Sequence, residues 1–208
     1  MMQVTKPGQL SLAVLASGRG SNFDAICAAI DRHDLNAEIK GLISNKKAAP
    51  VLQKAEQRGI KTFFINPGAY ANREEYETEL VKHLNGYQVD LVVLAGYMRL
   101  VGKTLLDAYK HKVVNIHPAL LPAFIGLHAQ KQAVEYGVKF SGCTVHMVDE
   151  GMDSGPIIMQ AVVPVYQDDD EDSLAARILV EEHKIYAQSL QLFAEGRIWI
   201  DGRKVIIR

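Results

Sequence analysis

The feature that most constrains this chain is a regular alternation of short apolar runs with longer amphipathic stretches. "LSLAVLAS" from residue 10 is followed by "NFDAICAAIDRH", "AEIKGLISN", "APVLQKAEQRG", "KTFFIN", "NREEYETELVKHLNGY" and "VDLVVLAGY". The order is strand, helix, strand, helix. Two runs, "DLVVLAG" and "KVVNIH", are apolar throughout rather than at every second position, as strands covered on both faces must be. The alternation therefore predicts an α/β chain with right-handed crossovers, a mostly parallel sheet and helices on both faces.

Beyond Pro118 the pattern changes. A polar-flecked loop and a helix, "HAQKQAVEYG", lead to two strands, "GCTVHMVD" and "PIIMQAVVPV", joined by "EGMDSG". The pair reads as a hairpin that adds antiparallel edge strands to the sheet in the C-terminal half. The longest helix, "EDSLAARILVEEHKIYAQSLQLFAEG", starts in an acidic, serine-containing segment and stops at Gly196, and "RIWIDGRKVIIR" is a terminal hairpin turning at Asp201-Gly202. No repeat or linker divides the 208 residues, so one domain spanning 1–208 is expected.

Charge excludes whole classes of partner. A formal net charge of -1 and a pI near 6.7 leave no basic footprint for nucleic acid. The run "QDDDEDS", Gln167 to Ser173, reads as a solvated helix start, because consecutive side chains do not converge on a metal; no metal is expected. No segment has the length of a membrane span, and two cysteines in apolar surroundings, Cys27 and Cys143, fit a reducing, cytoplasmic compartment.

"SGRGSNFD", Ser17 to Asp24, lies between the first apolar run and the first helix, where free amides and the helix dipole favour an anion. It lacks the Gly-Lys-Ser/Thr element of a nucleoside triphosphate loop. Read from Gly18 it is G-x-G-x-x-F, and "GLISNKK" offers no acid for a dinucleotide ribose. A single phosphate monoester fits better, with Gly20, Ser21 and Asn22 as its cradle. The alternative is that Gly18 and Gly20 only allow a tight turn, and that Ser21 or Asn22 caps the helix.

The strand "VVNIH" ends in two polar residues one position apart, Asn115 and His117, directly before Pro118. Residues two apart on a strand share a face, so their polar tips can meet. Carboxylates wait on "VDEGMDSGP", and there is no serine elbow, HExxH or CxxC spacing. An amide, an imidazole and a carboxylate suit charge stabilisation and proton handling in acyl transfer without a covalent intermediate. Asn115 would hydrogen-bond a developing oxyanion, and a carboxylate from Asp149 or Asp153 would favour a protonated His117 able to donate to it. Residue chemistry does not rank one aspartate above the other.

These segments carry a resemblance. "LASGRGSNFDAI", "ISNK", "DLVVLAGYMRL", "VVNIHPALLPAF", "GCTVHMVDEGMDSGPIIMQ" and "EEHKIYAQ" occur in an order and spacing similar to those of the folate-dependent formyltransferases. The resemblance covers nearly the whole chain and implies a Rossmann-like formyltransferase fold, with phosphate binding in the N-terminal half and folate binding and catalysis in the C-terminal half. It also implies transfer of a formyl group from 10-formyltetrahydrofolate to the amine of glycinamide ribonucleotide in purine biosynthesis.

By the same resemblance Asn115, His117 and Asp153 are the catalytic set, which selects Asp153 over Asp149. Gly20, Ser21, Asn22 and Glu182 hold the ribonucleotide. Arg73, Met98, Arg99, Leu100, Val101, Asn115, Asp149 and Asp153 line the folate site. Arg73 and Arg99 suit an anionic glutamate tail, with a surface ion pair as the alternative role of Arg99. Partners are then small molecules, with a homodimer as an open alternative.

One departure concerns the loop after His117. Relatives read L-P-x-F/Y-P-G, whereas this chain reads "LLPAFIGLHA" with Ile125, which does not fix φ as proline does. Two rivals within the family are a formyltetrahydrofolate hydrolase, with an N-terminal regulatory domain and N-H-H-S-F-L-P, and a transfer-RNA formyltransferase with a C-terminal RNA-binding domain. Neither pattern is expected here, where "NIHPALLP" stands and nine residues precede the first strand read from the sequence. Outside the family, a nucleotide-phosphate binding module without chemistry is the other reading.

Overall fold

A computed structural model describes all 208 residues. In chain order the elements are β1 (Met2–Gln3), β2 (Leu10–Ala16), α1 (Ser21–Asp31), β3 (Ala37–Ser44), α2 (Pro50–Gln57) and β4 (Thr62–Phe64), then α3 (Arg73–Tyr87), β5 (Leu91–Leu94), α4 (Lys103–Ala108) and β6 (Val113–His117). The second half holds α5 (Ala129–Tyr136), β7 (Phe140–Met147), β8 (Ile157–Pro164), α6 (Glu171–Ala194), β9 (Ile198–Asp201) and β10 (Lys204–Ile207).

The main sheet has seven strands in the order β4-β3-β2-β5-β6-β7-β8. The first five are parallel to one another, and β7 and β8 join antiparallel, as the change of pattern after Pro118 predicts. Residues Leu91 to Leu94 are all buried because β5 is covered on both faces: Leu91 and Val93 join the larger core cluster, Val92 and Leu94 the smaller one. The chain runs outward from β2 through β3 to β4 and then returns to β5 on the other side of β2. The loops after β2 and β5 therefore flank the topological switch point, where open α/β sheets bind ligands.

Helix α6 closes the larger core with Leu174, Ile178, Tyr186, Leu190 and Phe193 fully buried, and the Tyr186 hydroxyl donates to the carbonyls of Leu94 and Val114, 2.9 and 3.1 Å away. The acidic run acts as a helix start: Asp170 caps α6 in a reciprocal pair with Ser173, and Asp169 takes a two-pronged bond from Arg177. One element has no counterpart in the sequence reading. Strand β1 pairs with β9, Met2 opposite Ile200 and Gln3 opposite Trp199, and turns the terminal hairpin into a three-stranded sheet. Two residues are too few to show a period. No helix is long and apolar enough to cross a membrane.

Candidate active site

Asn115 and His117 lie on one face of β6, and β7 runs antiparallel beside them with His146 opposite Asn115 and Thr144 opposite His117. His117 is 4% exposed. The turn between β7 and β8 brings Asp153 back over β6, where its Oδ2 lies 3.4 Å from His117 Nδ1 and accepts from the Gly126 N–H at 2.8 Å. Its other oxygen is 3.8 Å from His146 Nε2. Asp153 takes φ of 49°, a left-handed conformation that aspartate tolerates better than most residues.

The two aspartates that the turn offers thus have different employment. Asp149 Oδ1 accepts from the Gly151 N–H and the Ser154 hydroxyl inside its own turn, whereas Asp153 faces the imidazole. The structure brings together Asn115, His117 and Asp153 and leaves the Asp149 carboxylate as a turn brace.

His117 differs from the expectation in one respect. Its Nε2–H donates to the Phe124 carbonyl at 2.8 Å while Nδ1 faces Asp153, so both ring nitrogens are engaged by the protein. The 124–127 loop is pinned by this bond, by the Gly126–Asp153 bond, and by Gln132 donating to the Ile125 and Leu127 carbonyls. Hydrogen bonds hold the segment around Ile125.

In the glycine loop after β2, Gly20 precedes α1 with φ of 78°, and a Cβ there would sit 2.4 Å from Val51 Cγ2. No side chain caps α1, which removes the simple capping role considered for Ser21 and Asn22. Ser21 opens the helix with its first amides, and Asn22 Nδ2 donates instead to Glu182 Oε2 at 2.9 Å. Burial pushes the Glu182 carboxyl up, with the Asn22 bond opposing. Asn22 Oδ1 is buried without a partner, an acceptor suited to a ligand hydroxyl.

The loop after β5 presents Met98 and Leu100 as exposed apolar side chains, 63% and 55% accessible, with Val101 half-buried beside them. Helix α3 holds this loop. The Tyr76 and Tyr97 hydroxyls share a 2.6 Å hydrogen bond, Arg99 stacks 5.1 Å over the Tyr76 ring, and buried Glu77 accepts from the N–H groups of Gly102 and Leu105. Arg99 therefore rests on an aromatic face rather than in a surface ion pair. The Arg73 stem packs close to Gly102. Both thiols lie elsewhere in the core, where burial pushes Cys27 up to about 11 and Cys143 up to about 12, so neither is a nucleophile at neutral pH.

Comparison with known proteins fits this arrangement. The Formyl transferase family profile matches residues 10–190. Phosphoribosylglycinamide formyltransferase of Escherichia coli (strain K12) is 39% identical over 203 residues, covering 94% of this chain and 96% of that protein. The chain belongs to the formyl transferase family. A crystal structure of glycinamide ribonucleotide transformylase 1 from Symbiobacterium toebii superposes with a TM-score of 0.94 at 46% identity, over 96% of this chain and 94% of that one. The trifunctional purine biosynthetic protein adenosine-3 of Drosophila melanogaster is 46% identical over 187 residues, and this chain spans 14% of its length.

Two residues of this formyl transferase site escaped the sequence reading. His146 is 2% exposed; its Nδ1–H donates to the Met147 carbonyl at 2.9 Å and its Nε2 accepts from Asn115 Nδ2 at 3.2 Å. Burial is the main cause that lowers its pKa, so it stays neutral with Nε2 as an acceptor. Its alternation with Thr144 along "GCTVHM" was visible, but the register that sets it opposite Asn115 was not. Glu77 is the second, and "YETEL" reads as an ordinary helical face until α4 is seen to start against it.

Proposed function

We propose that this formyl transferase moves the formyl group of 10-formyltetrahydrofolate to the amine of glycinamide ribonucleotide, giving N-formylglycinamide ribonucleotide and tetrahydrofolate in purine biosynthesis. The observation that carries the reading is the convergence of Asn115, His117 and Asp153. In this reading the ribonucleotide phosphate lies against Gly20, Ser21 and Asn22 with Glu182 beside its ribose, and the folate lies along Met98 to Val101 with Arg73, Arg99 and the Asp149–Asp153 turn around it.

The amine attacks the formyl carbon, a new C–N bond forms, and the carbonyl oxygen becomes an oxyanion. Asn115 spends one amide hydrogen on His146 and directs the other at that oxygen. For His117 to donate as well, the Phe124 carbonyl gives up Nε2 when substrate enters, while Asp153 holds the imidazolium through Nδ1. The bond from the formyl carbon to folate N10 then breaks, and the proton lost by the amine ends on N10. No covalent enzyme intermediate is required.

The test follows tetrahydrofolate release from 10-formyltetrahydrofolate, with and without glycinamide ribonucleotide. Release that depends on the ribonucleotide supports the transferase. Equal release in its absence means that water is the acceptor, and no release in either mixture means a binding module.

A further inference from the structure

Ser17 ends the run that begins as β2, and it is 3% exposed. Its hydroxyl accepts from the Met98 N–H at 2.8 Å and donates to Asn45 Oδ1 at 2.6 Å, and its own N–H donates to the Gly96 carbonyl at 3.0 Å. Three loops, those that follow β2, β3 and β5, are thus tied at one oxygen. From Ser17 the chain enters Gly18 to Asn22 directly, while Met98 opens the exposed apolar strip of the β5 loop.

We propose that Ser17 is a positioning residue for both substrates, fixing the phosphate loop and the folate loop in one mutual geometry without touching either ligand. The proposal rests on the assignment of those two loops given above. Without that hydroxyl the Met98 N–H, part-buried against Ser17, would lose its acceptor, seek another partner and carry Met98 with it. The same loss removes the Asn45 bond that braces Ser17 at the start of the phosphate loop, leaving there the Ser17 N–H bond to the Gly96 carbonyl and the Gly18 carbonyl accepting from Val51 N–H, at 3.0 and 3.2 Å. The hydroxyl is therefore needed in two places at once, which a residue serving one loop would not be.

The experiment measures kcat and both KM values for the parent, Ser17→Ala and Thr5→Val, each checked by thermal melting. Thr5 is the control: a buried hydroxyl that donates to the Phe193 carbonyl and touches neither loop. Ser17→Ala should raise the KM for glycinamide ribonucleotide and for 10-formyltetrahydrofolate by about tenfold each, the factor for an amide left without its acceptor, with kcat within about threefold of the parent. Thr5→Val should lower the melting temperature and move neither KM. If Ser17→Ala behaves like Thr5→Val, or raises one KM only, the proposal is overturned. Should Ser17→Ala not accumulate as folded protein, Asn45→Ala, which leaves the Met98 bond but frees the hydroxyl, must raise both KM values by a smaller factor, and no rise overturns it. A parent that releases no tetrahydrofolate with both substrates present would refute the functional reading instead.

Discussion

Asn115 and His146 face each other across β6 and β7, and the Asn115 amide donates to His146 Nε2 at 3.2 Å. This bond fixes which end of the Asn115 amide points into the site, so in the proposed mechanism His146 would act through Asn115. His146→Phe keeps an apolar ring of similar size but offers no acceptor. Its kcat should fall about tenfold, a fraction of the 10²–10³ that an oxyanion donor supplies, with both KM values within about twofold. Steady-state kinetics checks this; an unchanged kcat refutes the orienting role.

Burial also sets a pH dependence of stability. His111, His146 and His183 all have pKa values lowered from 6.5, in each case chiefly by burial. The unfolded chain therefore binds protons first as pH falls through about 6.5, and stability declines as the pH falls below it. Glu182 has the opposite sign, because its raised carboxyl pKa makes protonation relieve a burial cost on acidification. The melting temperature should fall on acidification below about pH 6.5, and less steeply in His146→Phe. Equal slopes in the two proteins would show that His146 does not contribute.

Asp153 and Asp149 offer a paired test. Asparagine tolerates the left-handed backbone at Asp153, so Asp153→Asn should fold and melt near the parent while formyl transfer drops by about 10²-fold or more. Asp149→Asn, within a turn that uses its carboxylate only as a brace, should lose some stability and keep most of its rate. Rates for the two variants side by side decide between the aspartates, and the reverse order would contradict the assignment.

Gly20→Ala meets two obstacles, a φ of 78° and Val51 Cγ2 at 2.4 Å from the added carbon. A left-handed non-glycine residue and an overfilled contact together cost about 2–5 kcal/mol. The phosphate loop should deform, raising the KM for glycinamide ribonucleotide at least about tenfold and the folate KM little. Equal rises in both would place the loop's effect elsewhere.

Much of this was legible in the sequence because the signals are local. Continuous apolar runs gave β5 and β6 as covered strands, the glycine turn marked the entry into α1, and strand alternation put Asn115 and His117 on one face. What stayed hidden depends on register and long-range approach. His146 opposite Asn115, Glu77 beneath Gly102, and Asn22 against Glu182 are 31, 25 and 160 residues apart. The engagement of His117 Nε2 by Phe124 also lies beyond sequence, since it is set by how the 124–127 loop folds back. The choice of Asp153 over Asp149 comes from resemblance alone, and its approach to His117 Nδ1 depends on how the turn between β7 and β8 folds back.

The most direct measurement is the single-turnover rate of formyl transfer from 10-formyltetrahydrofolate to glycinamide ribonucleotide, compared between the parent and His117→Ala, with the N-formylated product identified by mass. A loss of about 10²-fold or more in folded His117→Ala is the result expected for deletion of an oxyanion donor or general acid. Transfer at the parent rate would contradict the account of this site.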